Sequence, residues 1–154
     1  MEPIYIGNKE LLNLPKTAFF SSRKITSEAV LKCYDWATEM REKGECVISG
    51  FHSKFEKDVF HFLSKGTQPI IVVFGRKPYK TIPAEFQKHL DEGRLLLVFI
   101  TPATRQSKQT ALLRNRYIIE KADKIVFGTI YTESSLYPLY RGLMEIRKTD
   151  VVLL

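Results

Sequence analysis

The chain has 154 residues, 44% hydrophobic and 27% charged, and its 24 Lys and Arg against 17 Asp and Glu give a formal charge of +7. That length and composition fit one globular domain over 1–154. No apolar run is long enough to span a bilayer and no basic segment leads into a hydrophobic signal core, so a cytoplasmic protein without a membrane partner is expected.

Residues 4–7 read as a short extended piece, and 9–14 as a helical turn or two ending before Pro15. An apolar run, 17–20, leads into Ser21-Ser22-Arg23-Lys24. Val30, Leu31, Tyr34, Ala37 and Met40 have the 3–4 spacing of one buried stripe, predicting a helix over 27–43 with Ser27 as N-cap and Gly44 as its stop. A strand over 45–49 then turns at Ser49-Gly50 into a helix over 54–63. Further strands are predicted at 70–74, 95–100, 125–127 and 151–154, and helices near 83–90, 110–121 and 134–147. A polar loop covers 101–109. Strands that are continuous apolar runs, alternating with helices, predict an α/β three-layer, Rossmann-like fold: a mostly parallel sheet with helices on both faces. The two cysteines, Cys33 and Cys46, fall in a helix and a strand and read as reduced core thiols.

In such sheets ligands bind beyond the carboxyl ends of the strands. The strand-to-helix loops carry Arg23, Lys24, Lys54, Lys57, Arg76, Lys77, Lys80, Arg105 and Lys108 against Glu56 and Glu133, nine cations to two anions. The helix-to-strand turns carry eight (Arg41, Lys43, Lys65, Arg94, Lys121, Lys124, Arg147, Lys148) against seven acids. The basic excess thus lies on the ligand-binding edge, and a pI of about 9.4 suits a polyanionic partner.

Three constellations stand at that edge. Ser21, Ser22 and Arg23 offer hydroxyls, turn amides and a cation, though a capped turn would use the same residues. Ser49 and Gly50, with His52 and Lys54, form a turn at a helix N-terminus, where anions bind well. Arg114, Asn115 and Arg116 set two guanidiniums about an amide, a grip for phosphates, or else a solvated face with Arg116 pairing Glu120. Arg76 adds a further cation. Phe51, Phe55, Tyr79 and Tyr131 could stack bases, with Phe51 and Phe55 more naturally core, and His52 reads as a turn hydrogen-bonder. His61 and His89 lack metal-ligand spacing, and G-x-G-x-x-G, G-x-x-x-x-G-K-[ST], G-x-S-x-G and H-E-x-x-H are absent, so no metal, cofactor or catalytic set is assigned. Glu56 is the one acid–base candidate carried forward.

From Gly7 to Ser135 the chain resembles the central domain of the bacterial DNA-processing protein family (DprA, also called Smf), within a wider group that includes LOG-type nucleotide hydrolases. Ala18-Phe19-Phe20-Ser21-Ser22-Arg23 is similar to its hydrophobic-G-S-R motif, with Ser21 at the glycine position. Val47-Ile48-Ser49-Gly50-Phe51 is similar to V-V-S-G-L, and Arg114-Asn115-Arg116-Tyr117-Ile118-Ile119 with Ala122-Asp123-Lys124-Ile125-Val126 to R-N-R-I-I-A-x-L-S-D-x-V-x-V. His52 to Glu56 departs from A-x-G-I-D, Gly75-Arg76-Lys77-Pro78 from G-x-G-L-D, and the LOG signature P-G-G-x-G-T-x-x-E is absent. The resemblance implies a Rossmann-like domain without the family's flanking helical and winged-helix domains. It also implies binding of single-stranded DNA, a role in DNA processing, transformation or recombination, and a recombinase partner. A homodimer and a pocket lined by Ser22, Arg23, Ser49, Gly50, Arg114, Asn115 and Arg116 follow from the same likeness. The alternative is a sensor or hydrolase of a small nucleotide, with Ser49 holding phosphate and Glu56 as acid or base.

Overall fold

The apolar runs at 70–74 and 95–99 become neighbouring central strands, because a strand without a polar face must be covered on both sides. The computed structural model describes residues 2–147 and 150–154. In chain order the elements are β1 (Ile4–Gly7), a 3-10 turn (Lys9–Asn13), β2 (Lys16–Phe20), α1 (Ser27–Lys43), β3 (Cys46–Ser49), α2 (Lys54–Ser64) and β4 (Ile70–Phe74). They continue with α3 (Ala84–Asp91), β5 (Leu95–Phe99), α4 (Lys108–Lys121), β6 (Lys124–Phe127), α5 (Leu136–Arg147) and β7 (Val151–Leu153). The α/β architecture is the one expected.

One sheet runs in the order β1-β5-β4-β3-β2-β6-β7, parallel throughout except for β1, which pairs antiparallel with β5. From β2 the chain winds one way through β3, β4 and β5. It then crosses back through α4 to β6, on the other side of β2. The strand order therefore reverses at β2, and the crevice at its carboxyl end is where open α/β sheets take ligands.

Alternate strand residues feed two cores. Phe19, Val47, Ile70, Val72, Phe74, Leu97 and Phe99 meet α1, α2 and α3 on one face. Ala18, Phe20, Ile48, Ile71, Val73, Leu96, Val98 and Phe127 meet α4 and α5 on the other. Phe55, Val59, Phe60 and Leu63 give α2 an apolar stripe; at about 1.5–3 kcal/mol per buried side chain, this anchors the helix so that its N-terminus cannot drift from the strand ends. Cys33 and Cys46 are free and buried, and burial pushes their thiols up to about 11 and about 12.

Three local details differ from expectation. The N-cap of α1 is Thr26, whose hydroxyl accepts from the Ala29 N–H at 3.1 Å, while Ser27 is the first helical residue. Helix α4 starts two residues early at Lys108 because Ser107 and Thr110 cap each other. Helix α5 starts two residues late, at Leu136. Gly44 closes α1 in the left-handed conformation (φ 68°), as expected. No helix among the described residues is long and apolar enough to cross a membrane.

Candidate nucleic-acid interface

The site is built where β3 ends. Ser49 was expected to face a ligand, but its hydroxyl is fully buried and committed internally. It donates to the Phe19 carbonyl at 2.8 Å and accepts from the Phe51 N–H at 3.2 Å. Ser49 therefore ties the ends of β2 and β3 together and folds the turn. Phe51, in the left-handed region at φ 43°, carries backbone strain of a kind usually held in place at functional sites. Its ring and that of Phe55 are core, as read from the sequence.

Glu56 also differs from its expected part. One carboxylate oxygen accepts from the His52 N–H at 3.0 Å and the Ser53 N–H at 3.2 Å; the other accepts from the Ser21 N–H at 3.3 Å. With the Glu56 N–H donated to the Ser53 hydroxyl at 3.1 Å, this is a capping box that also binds the β2 turn to the β3 turn. Burial pushes the carboxyl above its usual range, and those N–H groups and the Arg114 charge only partly counter this. A buried carboxylate with its lone pairs so engaged serves as a brace.

Arg114 reaches the site from α4. That helix closes against β4 because Gly75 has no side chain: a Cβ there would lie 2.8 Å from the Thr110 carbonyl oxygen. The Arg114 side chain then lies flat across Gly50, where a Cβ would sit 2.8 Å from its Cδ and Nε. It is 9% exposed, donating to Asn115 Oδ1 at 3.2 Å and Gln106 Oε1 at 3.3 Å. Burial lowers its pKa and the Glu56 charge raises it, and guanidinium remains cationic. Among the described residues no carboxylate comes within 4.0 Å of it. A buried cation lacking a contact counter-ion favours an incoming anion.

Gln106, in the loop between β5 and α4, is the hub. Its oxygen accepts from the Gly75 N–H at 3.1 Å as well as from Arg114, so its amide nitrogen donates to His52 Nδ1 at 3.1 Å. His52 therefore carries its proton on Nε2. Burial first, then Arg114, Lys57 and Arg23, push its pKa down.

Beside His52 opens a pocket of about 320 Å³ lined by Arg23, His52, Ser53, Lys54 and Phe55, at the N-terminus of α2. Among the described residues the Lys54 and Phe55 N–H groups find no protein acceptor. Two amides, a helix N-terminus and the cations Arg23 and Lys54 together suit a phosphate. Ser21 and Ser22 are buried behind it: Ser22 donates its N–H to the Thr129 carbonyl at 3.1 Å and bonds Ser134 through the two hydroxyls at 3.0 Å, linking β2 to the β6 loop.

The remaining expected residues are dispersed. Asn115 is half-buried and orients Arg114. Arg116, two positions along α4, is turned about 200° from Arg114, is exposed, and forms no ion pair with Glu120. Arg76 lies over the Tyr79 ring at 3.8 Å and donates to the Lys77 carbonyl, beside the site rather than in it. All nine cations counted at this edge stay there, since no element boundary moves by more than two residues. Lys148, counted at the opposite edge, lies outside the described residues.

The chain is similar in fold to two solved DNA processing proteins A. With that of Streptococcus pneumoniae it shares 21% identity at a TM-score of 0.76, covering 98% of this chain and 54% of the other. With that of Helicobacter pylori, whose structure is described by its single-stranded DNA binding mode, it shares 17% identity at a TM-score of 0.74, covering 98% and 70%. The molybdenum cofactor carrier protein of Chlamydomonas reinhardtii is more distant, at 10% identity and a TM-score of 0.50 over 91% and 89%. This chain thus spans about half the length of the pneumococcal protein. No curated protein sequence matches it. The family model described as DNA recombination-mediator protein A matches residues 3–134, and this chain belongs to that family.

Proposed function

We propose that this chain binds single-stranded DNA by its phosphates at the carboxyl edge of the sheet, in keeping with the DNA-processing role of its family. Arg114 carries the reading: a cation more than nine-tenths buried, laid over Gly50, with hydrogen-bonding capacity beyond its two partners. Arg23 and Lys54, with the free amides of α2, hold the neighbouring phosphate. Arg76 and the other loop cations extend the basic track, and Arg116 contributes only long-range charge. The same pocket would hold the phosphate of a single nucleotide, which is the alternative its volume of about 320 Å³ favours.

A fluorescence-anisotropy titration with a labelled oligonucleotide tests this. The pair Arg23→Ala and Lys54→Ala should cost at least tenfold in affinity at low salt, while Arg116→Ala should bind as the parent does. Equal binding by all three proteins would sink the proposal. Thermal stabilisation by one mononucleotide and none by oligonucleotides would replace it with the alternative. A homodimer and a recombinase partner follow from family likeness alone, and light scattering and pull-down with a purified recombinase address them.

A further inference from the structure

His52 is tied down at both ends. Its backbone N–H donates to Glu56 Oε1 at 3.0 Å, and its ring Nδ1 accepts from the Gln106 amide nitrogen at 3.1 Å. The Gln106 amide has one orientation open to it. Its oxygen meets two groups that can only donate, the Gly75 N–H at 3.1 Å and Arg114 Nη1 at 3.3 Å. Turning the amide over would set its NH₂ against both, so the nitrogen stays on His52 and the imidazole proton stays on Nε2. That Nε2–H has no protein acceptor among the described residues, and the side chain carrying it lines the phosphate pocket.

We infer that Gln106 is a positioning residue of the anion site: it holds His52 as a neutral donor whose Nε2–H meets the phosphate bound at Arg23, Lys54 and the α2 N-terminus. The inference rests on the proposed phosphate site and adds to it one donor and the residue that aims it. Three observations carry it. The bond from Gln106 fixes both the tautomer and the rotation of the ring, and a donor already in place binds without the cost of ordering it. The charges acting on the ring are Arg114 from α4, Lys57 from α2 and Arg23 from the loop after β2, all cations, while the Glu56 carboxylate is taken up by backbone N–H groups. Those cations disfavour a second proton, so the ring acts as a neutral donor rather than as another charge. His52 also stands at the alanine position of the A-x-G-I-D pattern from which this chain departs, so the donor belongs to this chain.

The test reads the imidazole nitrogen resonances of His52 by NMR at about pH 8, together with affinity for a labelled thymidine oligonucleotide. In the parent protein the proton should sit on Nε2, and bound oligonucleotide should shift Nε2 far more than Nδ1. Gln106→Leu removes the donor to Nδ1, so the ring should become a mixture of both tautomers. Affinity should then fall about tenfold, the low end for one hydrogen bond to a charged group. Because Gln106 also holds Arg114, the same substitution is made in His52→Ala, where it should cost at least about twofold less than in the parent. The parent spectrum decides the tautomer whatever the stability of the variants. A parent proton on Nδ1, an Nε2 resonance that bound oligonucleotide does not move, or an equal cost of Gln106→Leu in both backgrounds overturns the inference and leaves the phosphate reading standing. Failure of the parent to bind overturns both.

Discussion

Gly50→Ala isolates the contact on which the site depends. Gly50 is outside the left-handed region, so alanine is compatible with its backbone, and any effect must come from the added methyl. That methyl would lie 2.8 Å from Arg114 Cδ and Nε and 3.1 Å from Cζ, well inside van der Waals contact. The side chain must swing off the turn and give up its bonds to Gln106 and Asn115, at 3.3 and 3.2 Å. At about 1 kcal/mol for each, the loss is about 2 kcal/mol, a fall of about 4–8 °C in unfolding temperature for a chain of this size. If Arg114 makes the proposed phosphate contact, affinity for single-stranded DNA should drop at least tenfold, because the guanidinium is displaced. A thermal-unfolding and binding cycle with Arg114→Ala supplies the control. With Arg114 truncated, Gly50→Ala should be neutral, or stabilising by ~0.4–1 kcal/mol through the unfolded chain. An equal cost in both backgrounds would refute the argument, since the methyl would then be meeting something other than Arg114.

Three further outcomes follow from the same geometry. Glu56→Ala leaves the N–H groups of Ser21, His52 and Ser53 without their acceptor and should cost about 3 kcal/mol in chemical denaturation, with both turns exchanging amide hydrogens faster. Gly75→Ala sets a methyl against the Thr110 carbonyl, which cannot swing aside as a side chain can, and should destabilise by ~1–3 kcal/mol in the same assay. Burial, Arg114, Lys57 and Arg23 hold His52 below its ordinary 6.5; a bound phosphate offsets those cations and raises it, so binding takes up a proton. Affinity should therefore climb as pH falls through the range under 6.5, and in His52→Gln that climb should flatten in titrations at matched ionic strength.

Much of the fold was legible because its signals are local. β4 and β5 are buried on both faces and so read as unbroken apolar runs, and Gly44 ends α1 through a backbone conformation that glycine adopts freely. The antiparallel course of β1 was not legible, since four residues carry no mark of strand direction. At the site, the structure brings Gly50, Arg114 and His52 together, but sequence could not say which side chains would be used up internally. Ser49 bonds the neighbouring strand, a contact set only by the parallel pairing of β2 and β3. Arg116 was grouped with Arg114 by adjacency, although two residues along a helix put a side chain on nearly the opposite face. The part played by Glu56 was within reach: Ser53-Lys54-Phe55-Glu56 has the S-x-x-E spacing of a capping box, and the structure forms one. Gln106 had no signal beyond a polar residue in a loop at the ligand edge, and it became a hub because α4 closes on Gly75.

The most direct test of the central claim is a titration of single-stranded DNA across a salt series. With Arg23, Lys54 and Arg114 among the phosphate contacts, log affinity should fall linearly with log salt at a slope of about −2 or steeper, from ~0.7 ion released per contact on single strands. A slope near zero, or no binding at the lowest salt, would contradict a phosphate-binding edge.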